Sequence, residues 1–186
     1  HSDSTYRSVS GQMQGTNEHV AALLNLMGQI LEIQADNVFK IRAFYRASEI
    51  IGRLATPVAG MDEDALSRID GIGKNIARKI REIVQKGTFD ELEELKSGIP
   101  GSVIELLNLE GVGPKTVATL WKKLNIQSIE DLERAARGHR IRAVRGFGEK
   151  KEEGFLKSIA RYRDQSGRMN RLEADAVVEK IQSVLD

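Results

Sequence analysis

Ile69-Asp70-Gly71-Ile72-Gly73-Lys74-Asn75-Ile76-Ala77 returns as Leu109-Glu110-Gly111-Val112-Gly113-Pro114-Lys115-Thr116-Val117, with Gly111 falling 40 residues after Gly71. Each copy reads apolar, acidic, Gly, aliphatic, Gly, and then opens an amphipathic helix with polar residues. Two glycines permit a tight turn and let backbone N–H groups approach a ligand without Cβ interference. The aliphatic residue between them can plug the gap between two helices. The helix that follows offers unpaired N–H groups and the positive end of its dipole, which suits a phosphate. A lone Gly-x-Gly would say little, but two copies with matching flanks read as a repeated helix-hairpin-helix. The plainer reading of either copy is a tight helix corner without a ligand.

Working outward, the apolar periodicity is helical almost throughout, and no run alternates as a half-buried strand would. The expected fold is therefore all-α, in two small helical domains with one hairpin each. Asn17 can cap a helix whose apolar face carries Val20, Leu23, Leu24, Met27, Ile30 and Leu31. A second helix covers about Val38–Leu54, and a short one, about Asp62–Ile69, enters the first hairpin. The exit helix should stop at Lys86-Gly87, where Gly serves as a C-cap. Pro114 suits the first turn of the second exit helix, which should run to about Leu124. Ser128-Ile129-Glu130-Asp131 resembles a capping box. Gly146-Phe147-Gly148 looks like a degenerate third hairpin, Ser166-Gly167 a break, and Leu172–Leu185 a last helix. The expected domains are 16–87 and 88–186. Residues 1–15 are polar and unpatterned, and read as a tag or vector remnant with a natural start at Met13.

The 186 residues are 40% hydrophobic but only 5% aromatic, enough for one or two small cores. No run of about 18 apolar residues suggests a membrane span. Cysteine is absent, which excludes disulfides and thiolate metal sites and fits a cytoplasmic protein, here expected at the nucleoid. His1, His19 and His139 are scattered, which argues against a histidine cluster. Net charge is only +1, so distribution matters more than the total. Lys40, Arg42, Arg46 and Arg53 share one helix, Lys74 to Lys86 follow the first glycine pair, and Arg137 to Lys151 surround Gly146-Phe147-Gly148. Acidic residues concentrate at Asp90–Glu94 and Glu130–Glu133, away from these basic runs. Lys79 lies off the apolar stripe of Ile76, Ile80 and Ile83. A lysine attacking an aldehyde must lose its proton, and neighbouring cations such as Arg78 and Arg81 favour the neutral amine. Composition alone favours the plainer reading of the same residue as a solvated helix lysine. Tyr45 and Tyr162 could assist such chemistry or simply pack.

The order of features resembles the N-terminal half of family X DNA polymerases, the gap-filling repair enzymes, in their bacterial and archaeal form. The resemblance rests on Phe39-Lys40-Ile41-Arg42-Ala43-Phe44-Tyr45-Arg46-Ala47, on Gly71 to Ile80, on Lys86-Gly87 and on Leu109 to Pro114. It implies a SAM-like domain of the DNA polymerase beta N-terminal type, followed by a fingers domain. Lys79 falls where lyase-active members carry the Schiff-base lysine that removes a 5′-deoxyribose phosphate, and Lys40 where the 5′-phosphate is held. Gly71, Gly73, Lys74 and Asn75 would grip DNA on the 5′ side of a gap. Gly111, Gly113, Lys115 and Thr116 would grip the primer strand. Carbonyls of Ser67, Ile69 and Ile72, and of Leu107, Leu109 and Val112, match the family's Na⁺ or K⁺ sites.

The chain also departs from the family. Asn75 stands where lyase-active relatives have another phosphate-binding lysine, and Phe39 where they have a histidine; both weaken the 5′-phosphate pocket. The Gly-Ser motif and metal-binding aspartates of the palm are missing, and isolated Asp175 and Asp186 cannot hold two Mg²⁺ ions. The expectation is a monomeric, membrane-free fragment of a longer polymerase, cut before the palm that binds Mg²⁺. It would bind gapped or nicked DNA without reading sequence, with or without lyase activity. The alternatives are a non-catalytic helix-hairpin-helix module of another repair protein, or a protein-interaction domain whose hairpins only pack helices.

Overall fold

The computed structural model describes the backbone of residues 15–185 and the side chains of residues 15–168. The polar start through residue 14, Asp186 and the side chains of the expected last helix lie outside the described residues. Among the described residues there are only helices and turns: α1 (Asn17–Ile33), α2 (Val38–Arg53), a 3-10 turn at Val58–Gly60, α3 (Glu63–Ser67), α4 (Lys74–Lys86), α5 (Asp90–Ser97), α6 (Gly101–Glu105), a 3-10 turn at Leu106–Asn108, α7 (Pro114–Leu124), α8 (Ile129–Arg137) and α9 (Glu149–Leu185). The chain divides into two compact units between Pro100 and Gly101, rather than after Gly87.

In the first unit α1 and α2 form an antiparallel pair. Ser48 Oγ donates to the Ala21 carbonyl at 2.6 Å, while Tyr45 Oη donates to Glu32 at 2.7 Å. The Tyr45 ring lies so close over Gly28 that a Cβ there would meet it at 2.8 Å. Val20, Leu24, Met27, Ile30 and Leu31 are fully buried, as their spacing predicts. Asn17 has a different role from the one its position suggested. Thr16 caps α1, accepting from the His19 N–H. Asn17 instead fastens the loop after α2, donating to the carbonyls of Leu54 (3.1 Å) and Thr56 (2.9 Å) and accepting from the Val58 N–H (2.9 Å). Replacing Asn17 with alanine is expected to cost about 2 kcal/mol, from three lost bonds at roughly 1 kcal/mol each less some replacement by water; thermal melting checks it.

Helix α5 belongs to this unit because its entry residue Phe89 is fully buried. Phe89 stacks on Phe44 with ring centroids 6.3 Å apart and planes 8° from parallel. Leu92, one turn on, is also fully buried. The turn before α5 is pinned by the left-handed Gly87 (φ +85°), whose N–H reaches the Ile83 carbonyl, and by His19 against the Gly87 carbonyl.

In the second unit α6 and α7 form the second hairpin, while α8 packs on α9. Pro114 sits at the start of α7, and Ser128 caps α8 by accepting from the Asp131 N–H at 3.0 Å. Helix α9 runs through Ser166-Gly167 without the expected break. A glycine inside a helix costs only about 1 kcal/mol relative to alanine, which the backbone bonds of a long helix absorb.

Candidate nucleic-acid interface

The two hairpins repeat one backbone design. Gly71 has φ +92° and Gly111 φ +81°. The next residue, Ile72 or Val112, bonds back through its N–H to the Ile69 or Leu109 carbonyl at 3.0 and 3.1 Å. Both plugs are buried, at 3% and 5% exposure. The second glycine then caps the exit helix: the Ala77 N–H reaches the Gly73 carbonyl, and the Val117 N–H the Gly113 carbonyl, each at 2.9 Å.

The paired glycines serve different needs. Gly71 and Gly111 require a left-handed φ that L side chains rarely adopt. Gly73 (φ −83°, ψ 171°) and Gly113 (φ −96°, ψ 178°) do not. No atom lies within 4 Å of a Cβ built at either. A Ser, Thr or Asp would fit there and would close the first turn by N-capping. Neither glycine has a side-chain cap bond, so the first-turn amides of α4 and α7 stay open. Lys74 and Lys115 stand exposed beside these amides, with no ion pair among the described residues. Thr116 is half-buried in the same turn of α7.

The third copy is a hairpin in its backbone despite its divergent side chains. Gly146 has φ +92°, the Phe147 N–H bonds to the Val144 carbonyl at 3.0 Å, and the Glu152 N–H to the Gly148 carbonyl at 3.1 Å. Its loop is anchored by Glu152, only 2% exposed. This carboxylate accepts from His139 Nδ1 (2.9 Å), the Arg142 N–H (2.9 Å) and Arg142 Nε (3.0 Å). Burial works to raise the Glu152 carboxyl, but those bonds outweigh it and hold it down at about 2. Nothing in the sequence pattern singled out Glu152.

Around Lys79 the surroundings differ from the expected cluster of cations. Arg78 turns to Glu63 at 3.4 Å, and Arg81 donates to the carbonyls of Ala59 and Met61. Lys79, with 12% of its side chain exposed, is not a freely solvated lysine. Its ammonium meets Asn75 Oδ1 at 2.9 Å and Glu91 Oε2 at 3.0 Å. The other Glu91 oxygen accepts from Lys40 Nζ at 2.7 Å. Burial pushes the Glu91 carboxyl up, but the hydrogen bonds from Lys40 and Lys79 carry it below the usual carboxylate range. The bond to Glu91 raises Lys40. Lys40 and Lys79, named separately from sequence, thus share one carboxylate from the acidic run Asp90–Glu94, and Asn75 accepts from Lys79 beside it. Asn75, Arg78, Lys79, Glu82, Phe89 and Glu91 line a cavity of about 200 Å³. The tyrosines offered as assistants are engaged otherwise, Tyr45 with Glu32 and Tyr162 with Glu105. Phe39 is 80% exposed beside Lys40.

A family model described as a helix-hairpin-helix domain matches residues 15–89, and a SAM-like helix-hairpin-helix tandem matches residues 103–157. The second match spans both the Gly111 and the Gly146 hairpins. The chain is 31% identical over 140 residues to the DNA polymerase/3'-5' exonuclease PolX of Bacillus subtilis (strain 168), covering 75% of this chain and 24% of that protein. The chain carries helix-hairpin-helix domains and is homologous to family X DNA polymerases over about three quarters of its length. A second family X relative, DNA polymerase lambda of Rattus norvegicus, is 27% identical over 146 residues, covering 78% of this chain and 24% of the relative. The chain therefore spans about a quarter of the length of these polymerases. No helix among the described residues is long and apolar enough to cross a membrane.

Proposed function

We propose that the chain is a DNA-binding part of a family X polymerase, holding the backbone of gapped or nicked duplex through its hairpins. The observation that carries this reading is the bare second glycine. Gly73 and Gly113 leave helix-opening amides uncapped where a capping residue would fit, and a phosphate oxygen is the acceptor that such amides suit. Lys74 and Lys115 would add charge, and Phe39 an exposed face for a base to stack on. Such contacts position a protein on DNA without reading its sequence. The Ile69 and Leu109 carbonyls each accept one internal bond and keep a second lone pair. With the carbonyls of Ser67, Ile72, Leu107 and Val112 they would hold Na⁺ or K⁺, which would help neutralise a phosphate. Polymerisation, with its Mg²⁺, would belong to a palm outside these residues.

Anisotropy titrations with gapped, nicked and intact duplex across a salt series test this. Binding should weaken steeply with salt, and gapped DNA should bind tightest. Lys115→Ala should reduce the log–log salt slope by about one, the signature of one lost phosphate contact. Salt-independent binding would remove the phosphate reading, and equal affinity for all three duplexes would remove gap recognition.

Lyase activity through Lys79 belongs to the same reading. A neutral Lys79 amine would add to the C1′ aldehyde of a 5′-deoxyribose phosphate and lose water to give an imine, which borohydride reduces to a stable amine. The Glu91–Lys79 ion pair favours the second reading, in which the domain binds DNA without this chemistry. Borohydride trapping separates the two: an adduct absent from Lys79→Ala supports the lyase, and no adduct supports the binding module.

A further inference from the structure

Glu91 occupies the place an incoming anion would need. One carboxylate bridges two ammoniums, with Oε1 on Lys40 at 2.7 Å and Oε2 on Lys79 at 3.0 Å. The bridge links α2 to α4 through the first turn of α5, whose position is set by buried Phe89 and Leu92. Glu91 is therefore delivered to the lysines by packing and is not a surface side chain that happens to reach them. Its side chain is 32% exposed and that of Lys40 42%, so the bridge is open to solvent on one side. An external phosphate can approach Lys40 from solvent, and would reach the more buried Lys79, 12% exposed, where Glu91 now lies. Two anions cannot share them without repulsion, so a phosphate must displace the carboxylate.

Resting on the reading that this domain meets DNA ends, we propose that Glu91 is the specificity-determining residue of the Lys40–Lys79 pocket. As an internal anion it competes with a 5′-phosphate and flattens the pocket's preference for 5′-phosphate over 5′-hydroxyl. Glu91→Gln keeps the size of the side chain and removes the charge that competes. The two lysines are then left for a phosphate, whose charge-assisted hydrogen bonds are the strong class.

The test is an affinity ratio. The 186-residue protein is titrated with two gapped duplexes that differ only in a 5′-phosphate or 5′-hydroxyl on the downstream strand. The wild type should discriminate weakly, and Glu91→Gln should raise the phosphate preference about tenfold. Glu91→Ala should raise it in the same direction. Adding Lys40→Ala to Glu91→Gln should abolish the gain. An unchanged ratio in both Glu91 variants, with the 5′-hydroxyl duplex still bound as in wild type, overturns the role of Glu91 and leaves the hairpin reading intact. Loss of all salt-dependent DNA binding in the wild type overturns the hairpin reading, and this proposal with it.

Discussion

Gly71→Ala is expected to destabilise the first unit by about 2 kcal/mol, whereas Gly111→Ala costs the second unit only about 1 kcal/mol. Both glycines sit at positive φ, at +92° and +81°, where a Cβ costs roughly 1–2 kcal/mol. Their surroundings differ. A Cβ at Gly71 would run into Ile50 Cδ1 and come within 3.1 Å of Arg46 Nε, while one at Gly111 would meet nothing within 4 Å. The atoms it meets are the tips of a half-buried isoleucine and an exposed arginine on α2, which can shift, so the clash adds only about 1 kcal/mol, the low end of overpacking costs. Small domains are stable by only about 5–15 kcal/mol, so this is a large fraction of the first unit's stability. The chain's single tryptophan, Trp121, lies on α7, so its fluorescence follows the second unit alone. Hydrogen exchange in α1 and α2 follows the first. Equal losses for the two variants would show that the Ile50 contact yields at no cost.

The second large effect is acid unfolding of the second unit. The Glu152 carboxyl lies at about 2 in the folded chain, against an ordinary 4.5. Between those values the unfolded chain binds a proton that the folded chain does not. Stability from this group is complete above about 4.5, falls as the pH drops through the window, and is gone below about 2. Trp121 melting temperatures should therefore fall between pH 4.5 and pH 2 more steeply in wild type than in Glu152→Gln. The variant should also melt lower at neutral pH, because a neutral amide presents an N–H₂ where His139 or Arg142 requires an acceptor. Parallel wild-type and variant curves across the window would show that Glu152 is not the group responsible.

What could be read from the sequence was whatever depends on neighbours along the chain. The hairpin glycines, the Gly87 stop, Pro114 at the start of α7 and the Ser128 cap are local signals, and all stand where their chemistry places them. Glu91 was not readable, because its bonds to Lys40 span 51 residues and periodicity carries no information on pairing at that distance. Membership in the run Asp90–Glu94 disguised it as ordinary solvated charge. The same limit hid the bonds of Asn17 across 37 to 41 residues to the Leu54–Val58 loop. Ser166-Gly167 misled for another reason: local propensity is a weak term beside the continuity of a long helix.

The bare first turns of α4 and α7 also make each hairpin its own reporter. An amide proton with no acceptor has nothing to slow its replacement by deuterium. The backbone protons of Lys74, Asn75, Lys115 and Thr116 should therefore be lost within the earliest labelling times in the free protein. Any oxygen that settles on them would delay that loss in one hairpin, the other or both. An isotope clock written into the main chain would thus tell which hairpin has taken up an anion, without a dye, a substitution or a catalytic event.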